Sequence, residues 1–190
     1  MDDNAPIQAQ EAVGTLLFAI NFAARKHQDQ HRKGQHKEPY INHPLRVVEI
    51  LWAVGGVRDL DTLVAAVLHD TLEDTATSVE ELEASFGPRV VALVQEVTDD
   101  KSLPKAVRKR LQVEHAPHIS DSAKLIKLAD KIHNVHDLSH DSPPDWSHER
   151  IVRYVDWAEA VVAGLRGVNP ALDAGFDDAV AEARRMVGSA

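Results

Sequence analysis

Apolar residues recur at helical spacing through most of the chain, and glycine or proline residues separate one apolar stretch from the next. Residues 9–27 place leucine, isoleucine and alanine three or four positions apart, which favours an amphipathic α-helix. The polar stretch at 27–40 contains Gly34 and Pro39 and is typical of a loop. Beyond it, Pro44 in a first helical turn begins a predicted helix that ends at Gly55–Gly56.

The middle of the chain contains further helices, each with its own start signal. Asp59 or Asp61 can cap one predicted helix, which continues through LVAAVLHDTLED. The overlapping capping boxes TSVE and SVEE begin a short helix that ends at Gly87. Pro88 then starts another helix through VVALVQEV.

The second half of the chain continues the helical pattern to its end. LPKAVRKRLQVEHA predicts a helix that Pro117 ends, and Ser120 or Asp121 can cap SAKLIKLADKIHNVHDL. The PP pair at 143–144 precedes two final helices, at roughly 147–165 and 171–187. No segment shows the apolar–polar alternation of a strand. We therefore expect an all-α fold, a single compact bundle of about eight or nine helices that spans residues 1–190.

Composition limits the kinds of partner that such a bundle serves. The 190 residues, 44% of them hydrophobic, can enclose one core, and there is no cysteine for a disulfide or a thiolate ligand. No apolar run is long enough to span a bilayer, and the acidic opening MDDNAPIQAQE is unlike a signal or transit peptide. The formal net charge of −9 disfavours broad nucleic-acid binding. We expect a cytoplasmic protein that binds neither nucleic acid nor membranes.

Two local clusters of basic residues interrupt this acidic background. One lies within residues 25–37 and the other within residues 101–110. Such clusters favour a small anionic ligand over a polymer, but charge runs are also typical of solvated helix faces. Composition alone leaves both interpretations open.

Four residues from three separate segments offer the ligands that a divalent metal prefers. His43 lies in PYINHP, and His69 and Asp70 end the apolar run LVAAVLHD. Asp130 interrupts the apolar and basic stretch KLIKLADKIHN. Two imidazoles and two carboxylates suit an ion that accepts nitrogen and oxygen ligands. Because such an ion lowers the pKa of water and polarises a phosphoryl oxygen, the pattern predicts phosphate-ester hydrolysis.

Two further acidic residues follow the His–Asp pair. On a continuous helix, His69 and Glu73 lie one turn apart, as do Asp70 and Asp74, so that all four share one broad face. The three carboxylates repel one another unless a cation compensates their charge. The competing interpretation is an exposed acidic helix end with an incidental histidine.

Three other histidines lie on the same predicted helix as Asp130. His133, His136 and His140 have the spacing i, i+3 and i+7, which allows them to bind a zinc ion. The sequence shows no further group that would orient them as ligands. We interpret them as ordinary surface or capping histidines.

Taken together and in this order, the motifs resemble those of the HD metal-dependent phosphohydrolase superfamily. The more specific resemblance is to the hydrolase domain of the RelA/SpoT alarmone enzymes, especially the stand-alone small alarmone hydrolases that include the metazoan SpoT homologue. The segments that carry it lie between about residues 15 and 140: FAARKHQDQHRK, PYINHP, AAVLHDTLEDT, FGPRVVALVQEVTDDKSLP, RKRLQVEHAP and KLIKLADKIHN. The resemblance implies an HD-type bundle with its core at about residues 10–140 and a C-terminal helical cover at 145–190.

The resemblance implies a role for each matching position. The implied metal ligands are His43, His69, Asp70 and Asp130. Mn²⁺ is the usual ion, and the same ligands also accept Fe, Co or Zn. Glu73 and Asp74 match the acidic pair that positions or deprotonates the attacking water. The implied substrate contacts are Arg32, Lys33, Tyr40 and Asn134 for the nucleotide, and Lys101, Lys105, Lys109 and Arg110 for the pyrophosphate.

Two positions depart from the family pattern. His31 and His136 stand where relatives commonly have arginine. Each replaces a permanent cation with a side chain that titrates near pH 7. The two departures therefore affect the expected affinity for the substrate and leave the predicted metal binding unchanged.

The implied activity is that of a Mn-dependent guanosine-3′,5′-bis(diphosphate) 3′-pyrophosphohydrolase of the stringent response. Such an enzyme converts ppGpp or pppGpp to GDP or GTP and pyrophosphate, and we expect no synthetase domain in this chain. Three alternatives stay open: another HD-type nucleotide phosphohydrolase such as an NADPH phosphatase, a non-catalytic alarmone sensor, and a structural helical domain. The sequence does not indicate an oligomeric state.

Overall fold

The chain folds into helices, as the periodicity predicted, and the longest connection between them is the loop at 27–41. The structure, a computed structural model, describes residues 5–188, with side chains from Gln10 onward. In that range there are ten α-helices, one 3₁₀ helix and no strand, apart from an isolated bridge between His31 and Pro39. The first six helices are α1 (Ala5–Lys26), α2 (Asn42–Ala53), α3 (Leu60–Leu68), α4 (Thr71–Asp74), α5 (Val79–Phe86) and α6 (Pro88–Val97). The remaining helices are α7 (Lys105–His115), the 3₁₀ helix η1 (Ala116–His118), α8 (Asp121–His140), α9 (His148–Ala163) and α10 (Pro170–Gly188).

Several helix starts follow the local signals in the sequence. For three helices the sequence offered two candidate N-cap residues each, and the structure identifies the cap as Asp59, Ser78 and Ser120. Each of these side chains accepts a hydrogen bond from a backbone N–H of the first turn. Gly87, which ends α5, has a φ of 82°, and this left-handed conformation favours glycine. Pro88 then begins α6.

The predicted continuous helix through LVAAVLHDTLED is wrong, because the chain breaks at the His–Asp pair. α3 ends at Leu68, and the single-turn helix α4 begins at Thr71. The Thr71 hydroxyl donates to the Leu68 carbonyl at 2.6 Å, and His69 Nδ1 lies 2.8 Å from the Ala66 carbonyl oxygen. These side chains compete with the backbone for helical hydrogen bonds. The break gives His69 and Asp70 directions that a straight helix does not provide.

α8 packs against five other helices. Its most extensive contact is with α10, and it also packs against α2, α3, α6 and α9. A continuous cluster of buried apolar residues runs from Ala19 on α1 to Ala183 on α10 and includes the wholly buried Phe176. None of the helices in residues 5–188 is both long and apolar enough to cross a bilayer.

Candidate metal centre and adjoining cavity

The four predicted ligands, which come from α2, α8 and the turn between α3 and α4, meet at one buried point. His43 Nε2 lies 3.1 Å from Asp130 Oδ1 and 3.6 Å from Asp70 Oδ2. His69 Nε2 lies 3.0 Å from Asp70 Oδ2 and 3.9 Å from Asp130 Oδ1. Ligand atoms of His43, His69 and Asp130 all lie within 4.8 Å of one another. Helices that are far apart in sequence thus bring two imidazoles and two carboxylates into contact.

The His69 imidazole is arranged as a metal ligand is. Its Nδ1 lies 2.8 Å from the Ala66 carbonyl oxygen, so it carries the proton and donates it there. When the ring is neutral, as a metal ligand must be, its Nε2 is left as an acceptor. Among the described residues this buried atom then faces only other acceptors, namely Asp70 Oδ2 at 3.0 Å and Asp130 Oδ1 at 3.9 Å. A buried polar atom without a partner costs free energy unless a ligand satisfies it. Nitrogen and oxygen donors around such an atom fit a divalent ion.

Neighbouring side chains fix the two carboxylates. The Tyr40 hydroxyl donates to Asp70 Oδ2 at 2.6 Å. Lys131 Nζ lies 2.7 Å from Asp130 Oδ2, and Asn134 Nδ2 donates to Asp130 Oδ1 at 2.6 Å. Side chains that hold the ligands of a metal in this way tune its affinity.

His133 is not the ordinary surface histidine that we expected, because it packs against His43. The Nδ1 atoms of His133 and His43 lie 2.8 Å apart, and the two rings stack with their centroids 5.0 Å apart. His133 Nε2 lies 3.3 Å from Asp137 Oδ1. With Nε2 of His43 facing the centre, its Nδ1–H donates to His133, and His133 donates in turn to Asp137.

The charges at this centre balance only when a positive charge is present. Burial lowers the pKa of His69, but the Asp70 and Asp130 carboxylates outweigh burial and raise it to about 9. Burial likewise opposes ionisation of the two carboxyls, yet the neighbouring histidines and, for Asp130, Lys131 hold both pKa values below the usual range. Burial lowers the pKa of His43 and keeps this ring neutral. The metal-free centre therefore holds a proton on His69 where an ion would supply the charge.

Glu73 and Asp74 lie on α4 beside this centre. The Asp99 N–H donates to Glu73 Oε2 at 3.0 Å, and Arg108 Nη1 lies 3.5 Å from Glu73 Oε1. Burial first, and then neighbouring carboxylates, raise the pKa of Glu73. A carboxylate with a raised pKa is a better general base near neutral pH. Asp74 pairs with Lys101 through its side chain.

A cavity of about 680 Å³ adjoins the smaller cavity, of about 220 Å³, that the His–Asp centre lines. The two cavities share part of their walls, namely Arg32, Tyr40, Glu73, Asp74, Gln112 and Asn134. Cationic side chains also line the larger cavity, namely Lys33, Lys105, Arg108, Lys109, Arg150 and Arg153. Five carboxylates line the cavity as well, namely Glu73, Asp74, Asp99, Asp137 and Asp141. With Arg32 counted, the seven cationic side chains still leave an excess of positive charge in a chain that is acidic as a whole, and this excess favours an anion.

α9 supplies one wall of the larger cavity, so the C-terminal segment does more than cover the core. Trp146 lies just before α9, and Tyr154 and Trp157 lie on it, all three lining the cavity. The Lys109 ammonium lies 4.2 Å from the centroid of the Trp157 ring, and Arg150 lies 4.3 Å from that of Trp146. The wall therefore combines cations with aromatic rings, which are the groups that bind phosphates and planar bases.

The predicted substrate contacts separate into those that line the larger cavity and those that do not. The residues that line it are Arg32, Lys33, Tyr40, Lys105, Lys109 and Asn134. Lys101 pairs with Asp74 outside the lining, and Arg110, with a side chain 66% exposed, lies 3.4 Å from Glu114. His31 lines the cavity, whereas His136 does not.

Several residues of the site escaped the sequence reasoning. Arg108 lies within the basic cluster at 101–110. Only the structure shows that the face of α7 that carries Arg108, and not Arg110, lines the cavity. Three more lie four and three positions apart, and therefore on one face of a helix: Arg150, Tyr154 and Trp157. An arginine beside two aromatic residues on one face was the sequence signal that could have indicated a ligand-binding wall.

Comparisons with known proteins agree with this geometry. Residues 19–156 match the family described as HD domain. A protein of Xenopus tropicalis named guanosine-3′,5′-bis(diphosphate) 3′-pyrophosphohydrolase MESH1 is 56% identical over 162 residues, which cover 85% of this chain and 90% of that protein. The human protein of the same name is 54% identical over 158 residues, which cover 83% of this chain and 88% of that protein.

A solved structure supports the same relationship. It is described as a metazoan ortholog of SpoT that hydrolyzes ppGpp and plays a role in starvation responses. It matches this chain with a TM-score of 0.86 and 46% sequence identity, over 88% of this chain and 94% of that one. The helical bundle predicted as HD-type from the sequence is thereby confirmed.

We expect metal binding to release a proton. With the pKa of His69 raised to about 9, its imidazole is protonated at neutral pH and must lose that proton to become a ligand. Because His43 stays neutral there, the affinity for Mn²⁺ should rise about tenfold per pH unit between about pH 6 and pH 8. Calorimetric titrations at several pH values, in buffers of different ionisation enthalpy, measure both the affinity and the protons released. An affinity that does not change with pH would contradict this charge balance.

We also expect His133 to set the metal affinity through His43. Replacing it with alanine, His133→Ala, leaves His43 Nδ1 without the partner that orients the ring, and the affinity for Mn²⁺ should fall by about 10- to 100-fold. Titration of Mn²⁺ into folded variants measures this loss. His118→Ala, at an exposed histidine of η1, is the matched control and should leave the affinity unchanged. Normal Mn²⁺ affinity in a folded His133→Ala protein would rule out the role.

Proposed function

This chain belongs to the HD-domain family, and from that premise we propose that it hydrolyses the 3′-pyrophosphate of ppGpp and pppGpp. The products are pyrophosphate and GDP or GTP. The observation that carries the proposal is the cation-lined cavity of about 680 Å³ that adjoins the buried His–Asp centre. The named activities of the similar Xenopus, human and metazoan SpoT-type proteins support it.

The proposed metal ligands are His43, His69, Asp70 and Asp130, with Mn²⁺ as the proposed ion. The short distances between these residues and the direction of His69 Nε2, which faces both carboxylates, support the assignment. When bound, a divalent ion lowers the pKa of water and polarises a phosphoryl oxygen. Tyr40, Lys131 and Asn134 keep the carboxylates in place during turnover through the hydrogen bonds described above.

Glu73 is the proposed general base. Its carboxylate lines both cavities, so it can reach a water molecule beside the metal centre and a phosphate in the larger cavity. Burial raises its pKa and strengthens it as a proton acceptor. The Asp99 N–H and Arg108 hold its two oxygens and orient it, and Asp74 assists from the same helix.

The basic wall is the proposed binding site for the phosphates. Arg108 Nε is buried and has no hydrogen-bond partner among the described residues, which leaves a donor available for a phosphate oxygen. Burial and then the like charges of Lys105, Lys131 and Arg150 lower the pKa of Lys109. An anion between these cations relieves their mutual repulsion and stabilises the charge that develops on the departing pyrophosphate.

The aromatic part of the wall is the proposed contact for the nucleoside. Tyr154 and Trp157 line the cavity from α9, and Arg32 reaches it from the loop before α2. Aromatic faces stack with purines, and guanidinium groups donate to their acceptors. Since the proposed substrate is a free nucleotide, we also propose that the protein acts in the cytoplasm, where nucleotides are made and consumed.

Incubation with a panel of nucleotides tests the proposal. With Mn²⁺, ppGpp and pppGpp should release pyrophosphate, and a chelator or the variant Asp70→Ala should abolish the release. Orthophosphate released from NADPH in preference would favour the NADPH phosphatase instead. Binding of ppGpp without any release would identify a sensor, and neither binding nor release would leave a structural domain.

The role of Glu73 predicts a specific kinetic defect. Glu73→Gln keeps the size of the side chain but removes its basicity, so kcat should fall by about 10²- to 10⁴-fold. Because Glu73 is not a proposed metal ligand, the affinity for Mn²⁺ should stay within about twofold of the wild-type value. Glu80→Gln, at an exposed carboxylate of α5, is the matched control. An unchanged kcat in Glu73→Gln would require a different base.

A further inference from the structure

A second group of metal-binding side chains lies on the outer surface between α8 and α10. His136 and His140 extend from the last turns of α8, and Glu182 extends from α10. We propose that these three residues form a second divalent transition-metal site, of the kind that binds Zn²⁺. None of them lines either cavity at the His–Asp centre, so the site is separate from the one proposed for catalysis.

The three side chains already have the proximity that a shared ion requires. His136 and His140 are one helical turn apart, and their rings are nearly parallel, at 10° and a centroid distance of 4.0 Å. One ligand atom from each of the three residues lies within 4.8 Å of the other two. Tetrahedral zinc with Zn–N bonds of ~2.05 Å needs ligand atoms about 3.3 Å apart. Because the side chains are partly exposed, small rotations can bring the ligand atoms from their present separations to those that zinc requires.

His140 is oriented by a group that sequence reasoning did not identify. Its Nδ1 lies 3.0 Å from the His136 carbonyl oxygen and donates its proton there. This hydrogen bond leaves Nε2 as the free acceptor, and Nε2 lies 3.6 Å from Glu182 Oε1. Donation from one ring nitrogen to a backbone carbonyl is the usual way in which a histidine is prepared as a metal ligand.

The electrostatic surroundings also favour a neutral imidazole at His136. Burial, followed by the neighbouring His140, lowers the pKa of His136. Glu182 and Asp137 act in the opposite direction, and Arg46 of α2 acts with His140. A cation shared by the two rings and Glu182 is attracted by the carboxylate without displacing a proton from His136 at neutral pH.

An ion at this position would join the C-terminal helix to the helix that carries Asp130. α8 and α10 form the most extensive helix contact in the described part of the chain, and the three ligands lie at one end of it. Because all three ligands come together only when both helices are docked, the ion binds the folded state more tightly and stabilises it. The site thus fastens α10 without taking part in the chemistry.

Zinc binding to matched variants of the full chain tests the proposal. The double variant His136→Gln/His140→Gln removes both rings, Glu182→Gln removes the carboxylate, and His148→Ala is the control at an exposed histidine of α9. Zn²⁺ itself is the probe, and bound zinc per chain is counted by elemental analysis after equilibrium dialysis. Zinc that enters the His–Asp centre adds equally to every protein, so the difference between proteins reports only the second site.

We expect wild type and His148→Ala to bind about one Zn²⁺ per chain more than the double-histidine variant and Glu182→Gln. At free zinc about 100-fold above the dissociation constant, the melting temperature of wild type should rise about 5–10 °C more than that of the two site variants. All four proteins should share the same melting temperature without zinc and the same Mn²⁺-dependent hydrolysis. Equal zinc content in all four would overturn the site, and loss in the histidine variant alone would overturn the part assigned to Glu182.

Discussion

The structure depends on the burial of two carboxylates, Asp70 and Asp130, against the imidazoles of His43 and His69. Buried charge of this kind is tolerated only when opposite charge is close by. In the metal-free protein a proton on His69 and the ammonium of Lys131 supply that charge. A divalent ion can take the place of the proton with the same four side chains, and therefore the helices that carry them need not rearrange.

Hydrogen bonds connect this buried centre to the wall of the larger cavity. Arg32 donates to Asn134 Oδ1 at 2.8 Å and to Asp137 Oδ2 at 2.7 Å. Asn134 in turn donates to Asp130, and Asp137 holds His133, which packs on His43. Arg32 thereby contacts the partner of one proposed ligand, Asp130, and reaches another, His43, through Asp137 and His133, while it lines the cavity. A nucleotide that accepts a hydrogen bond from Arg32 therefore binds a guanidinium that already holds both of these groups, which links binding in the cavity to geometry at the centre.

The sequence predicted the helices better than it predicted the site. Helix starts are local, because a side chain such as Ser120 and the N–H that it caps are three residues apart. The break at His69–Asp70 was missed because helical periodicity continues across it and only side-chain hydrogen bonds reveal it. The α9 wall was missed because aromatic residues at helical spacing look the same whether they face a core or a cavity. Tertiary packing alone distinguishes those two environments.

The two positions where the resemblance predicts arginine, His31 and His136, lie in different parts of the fold. His31 lines the larger cavity, so exchanging an arginine for histidine there acts directly on the charge that an anionic ligand meets. His136 shares α8 with Asp130, but its side chain lies with His140 and Glu182 on the outer surface. A permanent cation at 136 would repel a metal ion beside Glu182, whereas a neutral imidazole offers it a ligand. We therefore expect the same exchange of residue types to weaken anion binding at one position and to supply a ligand to the proposed second metal site at the other.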